Sequence, residues 1–252
     1  MGVSLSVITA TYNCVSTIED CLSSIAEQTY RNIEHVVIDG ASSDGTLEIL
    51  KRQRASMSHF VSEPDGGIYP ALNKGLALAS GDVVGFLHAD DRYASPDVLA
   101  RVAAAFDDPG VVAVYGDLVY VHRDAPDRVL RFWRAGPYST SRLRWAWMPP
   151  HPTLYLRRSA YEQWGTFDVG LDIAADYDFM LRVLPGLVGR VVYLPHILVR
   201  MRAGGVSNRS LSHVLRKSRQ DYDAIARNTT GGLSVLFAKN IRKIPQFWQR
   251  LR

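Results

Sequence analysis

Residues 4–40 read SLSVITATYNCVSTIEDCLSSIAEQTYRNIEHVVIDG and contain a strand, a helix and a second strand in succession. The apolar run from Leu5 to Thr9 predicts one buried strand, and Ile33 to Asp39 predicts the next. Ser16 to Gln28 has helical spacing, with Ser16 as an N-cap and Glu19 completing a capping box. This alternation is typical of βαβ units, so it predicts a parallel sheet covered by helices.

The alternation continues to about residue 106 and then changes. Further strands are predicted at His59 to Val61 and Asp82 to Leu87, and further helices at Gly45 to Lys51, Ala71 to Ala79 and Ser95 to Phe106, with Pro96 in the first helical position. Beyond Pro109, short strands separated by turn residues favour antiparallel additions: Val111 to Tyr115, Leu118 to His122, Val129 to Trp133, Arg190 to Leu194 and Ile197 to Met201. A helix is predicted near Asp176 and another from Leu211 to Arg227. The predicted fold class is therefore α/β, with a mostly parallel central sheet, antiparallel additions and a basic helical tail.

Composition excludes several classes of protein. The 252 residues are 47% hydrophobic and 21% charged, which is ordinary for a globular chain and excludes a disordered one. Cys14 and Cys21 are too few for a disulfide scaffold, so we expect reduced thiols and a cytoplasmic location. The N-terminus has no signal-peptide pattern, and no apolar run reaches the ~20 residues that span a bilayer.

The positive charge is concentrated at the C-terminal end. Residues 212–252 contain nine Lys or Arg and two Asp, a net +7, so the rest of a chain of net charge +4 carries −3. Ile241, Ile244, Trp248 and Leu251 recur at near-helical spacing among these basic residues. The pattern suits an anionic membrane surface at the inner face of the cell membrane, or equally a helix packed on the body with a solvated basic face. A basic tail without a basic stripe across the fold predicts no nucleic-acid partner.

Polar clusters follow three of the predicted strands, where an open α/β sheet binds its ligands. They are Thr9 to Asn13, Asp39 to Thr46 and His88 to Asp91. The adjacent carboxylates Asp90 and Asp91 suit a hard cation such as Mg²⁺ holding a diphosphate, with simple turn chemistry as the alternative. No dinucleotide or P-loop glycine motif occurs in the chain.

Several segments in this order closely resemble the family 2 inverting glycosyltransferases. They are residues 6–13, the 39–46 turn, residues 65–69 with Ala71 and residues 73–75, and residues 81–82 before residues 86–91. The resemblance covers roughly residues 4–205 and implies a single nucleotide-binding domain of type A. We therefore expect a glycosyltransferase domain over 1–207, with a nucleotide-sugar half over about 1–110 and an acceptor half over about 111–207. Residues 208–252 are expected to form the basic extension.

The resemblance also implies roles for individual residues. Nucleotide-sugar binding is expected of Thr9, Ala10, Thr11, Tyr12, Asp39, Asp65, Lys74 and Asp90, and metal binding of Asp91. Asp176 matches the carboxylate that deprotonates the acceptor hydroxyl, and a helix N-cap is its alternative role. Contacts to donor or acceptor are expected of His151, Asp178 and Arg202, and of residues 204–207. Pro70, Pro152 and Ala175 depart from the family pattern, which leaves donor and acceptor choice open.

These roles predict a divalent cation, Mg²⁺ or Mn²⁺, and a nucleoside-diphosphate sugar donor. Uridine is the default base, with guanosine and thymidine as alternatives, and the acceptor is a glycan or a lipid-linked glycan of the cell envelope. A sugar nucleotidyltransferase is a second enzyme class, but Thr9 to Asn13 contains no Gly, Lys or Arg. A sugar-nucleotide-binding module without catalysis is the third alternative, and the presence of Asp90, Asp91 and Asp176 argues against it.

Overall fold

A computed structural model describes residues 2–145, 147–204, 211–228 and 235–236, without the side chains of residue 144 and residues 211–215. Its strands are β1 (Leu5–Thr11), β2 (Ile33–Asp39), β3 (His59–Ser62), β4 (Val83–Phe86), β5 (Arg92–Tyr93), β6 (Val111–His122), β7 (Ala125–Trp133), β8 (Tyr155–Arg157) and β9 (Arg190–Arg202). Its α-helices are α1 (Ile18–Ala26), α2 (Thr46–Arg52), α3 (Ile68–Leu78), α4 (Val98–Phe106), α5 (Thr140–Arg144), α6 (Arg158–Trp164), α7 (Ala175–Val183) and α8 (Leu211–Asn228).

The strands of the described residues form one sheet in the order β3-β2-β1-β4-β8-β6-β9-β5, with β7 beside β6. The first four strands of this order are parallel, as predicted, because each is joined to the next along the chain by a helical crossover. Alternate residues of β1 point to opposite faces. Leu5 and Val7 join an apolar cluster with α1 and α4. Ile8 and Ala10 join the cluster that contains α3 and α7.

The second half departs from the prediction of separate antiparallel strands. The two short strands predicted at 111–115 and 118–122 are one strand, β6, which pairs in parallel with β9 and antiparallel with β7 and β8. Gly116 lies in a bulge, where a Cβ would come within 2.5 Å of Leu198 Cγ. Pro195, which has no N–H for the ladder, falls in the matching unpaired stretch of β9. Both positions are β-bulges and not turns, so the strands continue through them.

The roles predicted for Ser16 and Pro96 at the N-termini of two helices were wrong. Helix α1 begins at Ile18 without a side-chain cap from Ser16 or Thr17, because the carbonyl of Cys14 accepts the N–H groups of Thr17 and Ile18. Helix α4 begins at Val98, so Pro96 precedes the helix and does not occupy its first position.

The C-terminal extension packs on the body over the part that the structure describes. Ala224, Ile225 and Val235 are buried in the same apolar cluster as α7. The predicted contacts of residues 205–207 and the predicted amphipathic segment from residue 239 onward lie outside the described residues. The boundary between 207 and 208 stays a prediction. Within the described ranges, no helix combines the length and the apolar character needed to cross a membrane.

Candidate active site

The end of β1 presents one large side chain to solvent. Tyr12 is 67% exposed, and its ring lies across Gly40, where a Cβ would be 3.2 Å from Tyr12 Cδ2. Thr9 is fully buried, 3.1 Å from His35 through Thr9 Oγ1 and His35 Nε2, and Thr11 Oγ1 lies 2.7 Å from Cys14 Sγ. Ala10 is buried as well. Of the four residues predicted here, Tyr12 is the one that offers an aromatic surface to a base.

Asp39 holds the turn that follows β2. Its buried carboxylate accepts hydrogen bonds from the N–H of Ser42 at 3.1 Å, from Ser42 Oγ at 2.5 Å and from Ser62 Oγ at 2.7 Å. These bonds join the turn to β3 and place Gly40 beneath Tyr12. The contact predicted between Asp39 and the base stays a prediction.

Asp65 and Lys74 form an ion pair beside Tyr12. Lys74 Nζ donates to Asp65 Oδ1 and lies 2.6 Å from Glu63 Oε1, and these two acids raise the pKa of Lys74. The other oxygen, Asp65 Oδ2, is buried and has no hydrogen-bond partner among the described residues. It would lie 3.7 Å from a Cβ at Gly40. An unpaired acceptor therefore sits next to the exposed aromatic ring.

Arg202, the last residue of β9, donates hydrogen bonds to both residues of the Asp90–Asp91 pair. Its N–H donates to Asp91 Oδ1 at 3.2 Å, and its guanidinium donates to the carbonyl of Asp90 at 2.9 Å and to the carboxylate of Asp20. Arg202 is only 4% exposed, because these partners enclose it. In this structure it therefore supports the acidic pair, and the predicted contact to a diphosphate stays a prediction.

The acidic pair fits a divalent cation. Asp91 is fully buried, and its Oδ2 has no hydrogen-bond partner within the described ranges. Burial and the charge of Asp90 raise the pKa of Asp91 well above its usual range, although Arg202 opposes this. A bound cation would give Asp91 Oδ2 a partner and would stabilise the ionised form of Asp91. Carboxylate oxygens suit Mg²⁺ and Mn²⁺. No cluster of three or more acidic, His or Cys side chains in the described residues could hold a metal, so the remaining ligands would be water and phosphate oxygens.

Two histidines connect the acidic pair to Asp176. The ring of His151 stacks on Phe86 with centroids 5.3 Å apart and lies 5.8 Å from the ring of His88. Burial lowers the pKa of His151 to about 4, so it is neutral near pH 7. Burial also lowers the pKa of His88, while the charges of Asp90 and Asp176 oppose that shift. Ring contacts continue from His151 to Asp176: the His151 and Phe167 centroids are 5.7 Å apart, those of Phe167 and Tyr69 are 5.6 Å apart, and the Tyr69 hydroxyl lies 3.3 Å from Asp176 Oδ1.

Asp176 lies in the first turn of α7, as predicted, but it is not the residue that caps the helix. That position belongs to Ala174, and the Asp176 carboxylate accepts from the N–H of Tyr177 at 2.8 Å. The Tyr69 hydroxyl lies 3.3 Å from Asp176 Oδ1. Asp178 faces another way, with Oδ1 accepting from Asn228 at 2.8 Å and Oδ2 3.7 Å from Arg182. Its predicted contact to donor or acceptor stays a prediction.

Sequence reasoning missed Tyr69 and Gln220 as neighbours of the site. Tyr69 belongs to a motif that was recognised, but nothing local indicates that its hydroxyl reaches a segment about 100 residues away. Gln220 lies on α8 and accepts from the N–H groups of Ile173 and Ala174. A lone glutamine on a basic helix carries no signal of that contact.

Comparison with known proteins identifies the family. The sequence model described as Glycosyl transferase family 2 matches residues 6–164, more than half of the chain. A Mycobacterium tuberculosis protein described as an uncharacterized glycosyltransferase is 33% identical over 243 residues, covering 93% of this chain and 88% of its own. A PGL/p-HBAD biosynthesis glycosyltransferase of Mycobacterium bovis is 33% identical over 212 residues, covering 81% of this chain and 78% of its own. The chain therefore belongs to glycosyl transferase family 2. It is a glycosyltransferase, which confirms the predicted enzyme class over its alternatives.

Solved structures confirm the predicted fold. S. aureus TarS 1–349 in complex with UDP-GlcNAc aligns with a TM-score of 0.70 at 22% identity, covering 89% of this chain and 66% of that one. The chain spans 43% of a longer TarS chain. A mannosyltransferase of Pyrobaculum calidifontis in complex with GDP-Man and Mn²⁺ aligns with a TM-score of 0.66 at 23% identity, covering 98% of this chain and 74% of that one. The sheet and helices described above are thus a single type A glycosyltransferase domain.

Proposed function

We propose that this enzyme transfers a sugar, with inversion, from a nucleoside-diphosphate sugar to a hydroxyl of a glycan or lipid-linked acceptor. The observation that carries the proposal is a continuous series of ring contacts between the two acidic sites. It runs from His88, two residues before Asp90, through His151 and Phe167 to Tyr69, whose hydroxyl lies 3.3 Å from Asp176 Oδ1. It supports a site in which the Asp90–Asp91 pair would hold the diphosphate on one side of the sugar, and Asp176 would receive the acceptor proton on the other side.

The donor would lie across the ends of β1, β2 and β4. Tyr12 offers its exposed ring to the base, and the unpaired Oδ2 of Asp65 offers an acceptor to a base N–H. Uracil, guanine and thymine all carry a ring N–H. We place uridine first and guanosine and thymidine next, which agrees with the UDP-GlcNAc and GDP-Man named for the two structural neighbours.

Asp90 and Asp91 would hold Mg²⁺ or Mn²⁺, and Arg202 would keep the pair in place. When bound, the cation supplies positive charge that stabilises the diphosphate leaving group. The Mn²⁺ in the Pyrobaculum complex supports this assignment. Asp90 is partly exposed and Asp91 is fully buried, so Asp90 is the carboxylate open to the crevice.

Asp176 would act as the general base. It lies in the first turn of α7, where its carboxylate accepts a hydrogen bond from the N–H of Tyr177. It would take the proton of the acceptor hydroxyl as that oxygen attacks the anomeric carbon from the face opposite the diphosphate. Neutral His151 and the surrounding aromatic rings would form the wall of the sugar site.

The acceptor belongs to the cell envelope in this proposal. The PGL/p-HBAD biosynthesis role named for the mycobacterial relative supports it. Residues 239–252 would bring the enzyme to an anionic membrane surface, where a lipid-linked acceptor is found.

Turnover of donor by the purified enzyme tests the proposal. UDP-glucose, UDP-GlcNAc, GDP-mannose and dTDP-glucose are each incubated with Mn²⁺ or with EDTA, and release of nucleoside diphosphate is measured with water as the acceptor. We expect one base to be preferred and EDTA to abolish release. Proton NMR of the first sugar formed from an α-linked donor should show the β anomer. An initial α anomer would exclude a single displacement assisted by Asp176.

A further inference from the structure

The main chain of Ile173, three residues before Asp176, is held from two sides. The Tyr69 hydroxyl, on α3, donates to the Ile173 carbonyl at 2.9 Å. The Gln220 side chain, on α8, accepts the Ile173 N–H through Oε1 at 2.9 Å. Both polar groups of one peptide residue are therefore bonded to side chains from helices that are distant in the sequence.

Gln220 also bonds the residue that directly precedes α7. Ala174 precedes the helix and has no side chain that could accept a hydrogen bond. Gln220 Oε1 accepts the N–H of Ala174 at 3.2 Å in addition to that of Ile173. Its Nε2 donates to Asp172 Oδ1, and Arg216 donates to Asp172 Oδ2 at 2.8 Å. One side chain of α8 thus joins three consecutive residues before the catalytic helix.

Further contacts fasten α8 along the same segment. Arg227 Nη1 lies 3.0 Å from Asp168 Oδ2, and Asn228 donates to Asp178 Oδ1 at 2.8 Å. Residues 168–178 are therefore contacted by α8 on both sides of Asp176. Helix α8 lies beyond the 6–164 segment that matches the family model, so this support comes from the chain's own C-terminal part.

We propose that Gln220 and Tyr69 are positioning residues for the Asp176 carboxylate. Gln220 acts through the main chain of Ile173, and Tyr69 acts through that main chain and through its own contact with Asp176. The proposal rests on the proposed function for the role of Asp176 as base. A carboxylate at the start of a helix moves with the turn that carries it. Fixing that turn from α3 ties the base to the nucleotide half, and fixing it from α8 makes the C-terminal extension part of the active site.

The proposal is tested by exchanging donor and acceptor in the hydrogen bond between Gln220 and Asp172. Gln220→Glu keeps an acceptor for the two N–H groups but places a second carboxylate against Asp172. Adding Asp172→Asn restores a donor between the two side chains and leaves an acceptor for Arg216. Arg227→Ala is the matched control, because it removes an exposed contact between α8 and the same segment. Tyr69→Phe is an independent variant that releases Ile173 from the other side and also removes the hydroxyl that lies 3.3 Å from Asp176 Oδ1.

Two quantities are measured for each variant. One is the hydrogen–deuterium exchange of peptides that cover residues 168–180. The other is kcat and KM for release of nucleoside diphosphate from the donor that the wild type uses best. We expect exchange to rise about tenfold in Gln220→Glu and to return to the wild-type value in the double variant. We expect kcat to fall by roughly 10²-fold with an unchanged donor KM, and to recover in the double variant. Tyr69→Phe should reproduce the loss of kcat.

Other outcomes would overturn the proposal. One is a Gln220→Glu variant that differs from the wild type no more than Arg227→Ala does, in exchange or in kcat. Others are a double variant that does not recover, and faster exchange with unchanged kcat. A wild type that turns over no donor would overturn the proposed function instead, and the exchange data would still decide whether Gln220 holds the turn.

Discussion

Replacing Asp91 by Asn separates a cation ligand from a structural hydrogen-bond acceptor. The amide keeps an oxygen for the N–H of Arg202, 3.2 Å away, and removes the charge. Because burial and Asp90 raise the pKa of Asp91, ionising this carboxyl in the folded protein costs free energy that the variant avoids. A loss of stability on substitution is therefore not expected in the absence of metal.

The sign and size of the effect follow from linkage. The pKa of Asp91 in the folded state lies above its unfolded value of about 3.9, so the wild type loses stability as pH rises through this interval. The variant avoids the cost of a buried charge, which is several kcal/mol, but leaves its new amide nitrogen unpaired at a cost of about 1–3 kcal/mol. We therefore take about 1 kcal/mol as the net gain of the variant at pH 8. That gain raises Tm by about 2–4 °C for a chain of this size and shrinks toward pH 5.

Cation and nucleotide should reverse the order of stability. A ligand at 100 times its Kd stabilises the folded state by about 2.7 kcal/mol, or about 5–11 °C in Tm. We expect this shift in the wild type with Mn²⁺ and its preferred nucleoside diphosphate, and no shift in Asp91→Asn. Differential scanning fluorimetry at pH 8 and pH 5, with EDTA or Mn²⁺, measures both effects. Asp127→Asn, on the exposed surface of β7, is the control and should behave as the wild type.

A variant that melts several degrees below the wild type in EDTA and still responds to Mn²⁺ with nucleotide would contradict the role of Asp91 as a cation ligand. Asp91 would then serve only as the acceptor for Arg202, and the cation would be held elsewhere.

Three further substitutions test other parts of the site. Asp176→Asn should lower kcat by roughly 10²- to 10⁴-fold without changing the Kd of the nucleoside diphosphate, because a general base is lost and the donor contacts are kept; calorimetric titration beside a turnover assay checks this, and a weaker Kd with normal kcat would contradict it. Arg202→Met should lower the free energy of unfolding by about 2 kcal/mol, below the usual cost of breaking a buried ion pair because the Asp20 partner is half-exposed; urea denaturation measures the loss, and an unchanged midpoint would show that the guanidinium bonds add nothing. His35 is buried and its pKa is lowered to about 4, so the unfolded state binds the proton at a higher pH than the folded state does. The free energy of unfolding of the wild type should therefore fall by about 2 kcal/mol between pH 7 and pH 5. His35→Gln should remove that part of the pH dependence, and equal slopes in urea titrations of the two proteins would exclude it.

The parallel half of the sheet could be predicted because its signals are local. Each apolar run from Leu5 to Phe86 is followed by helical spacing within the same ~35 residues, and the polar clusters come at the strand ends where they are visible in the sequence. Asp90, Asp91 and Asp176 could be singled out as candidate site residues for the same reason, since each stands in a short motif.

The rest could not be predicted, for two physical reasons. Glycine and proline occur both in turns and in β-bulges. At Gly116 and Pro195, the pairing with the neighbouring strand determines that a bulge forms and not a turn. The supports of the site are contacts over long distances in the chain. Arg202 reaches Asp20 across 182 residues, and Tyr69 reaches Ile173 across 104. A pattern within one helix or strand does not contain such pairings.

The place of β8 in the sheet has a consequence for synthesis of the chain. Strand β4 is complete at Phe86, but the strand that covers its free edge is β8, in which Arg157 pairs with Val83. At ~5–20 residues per second, the ribosome needs roughly 4–15 s to add the ~70 intervening residues. During that interval the edge of β4, a wholly apolar strand, has no neighbouring strand on this side. Unpaired apolar edges of this kind promote pairing with other chains and aggregation. Slow translation between residues 87 and 157 would therefore lengthen the period in which this strand edge is open to pairing with other chains.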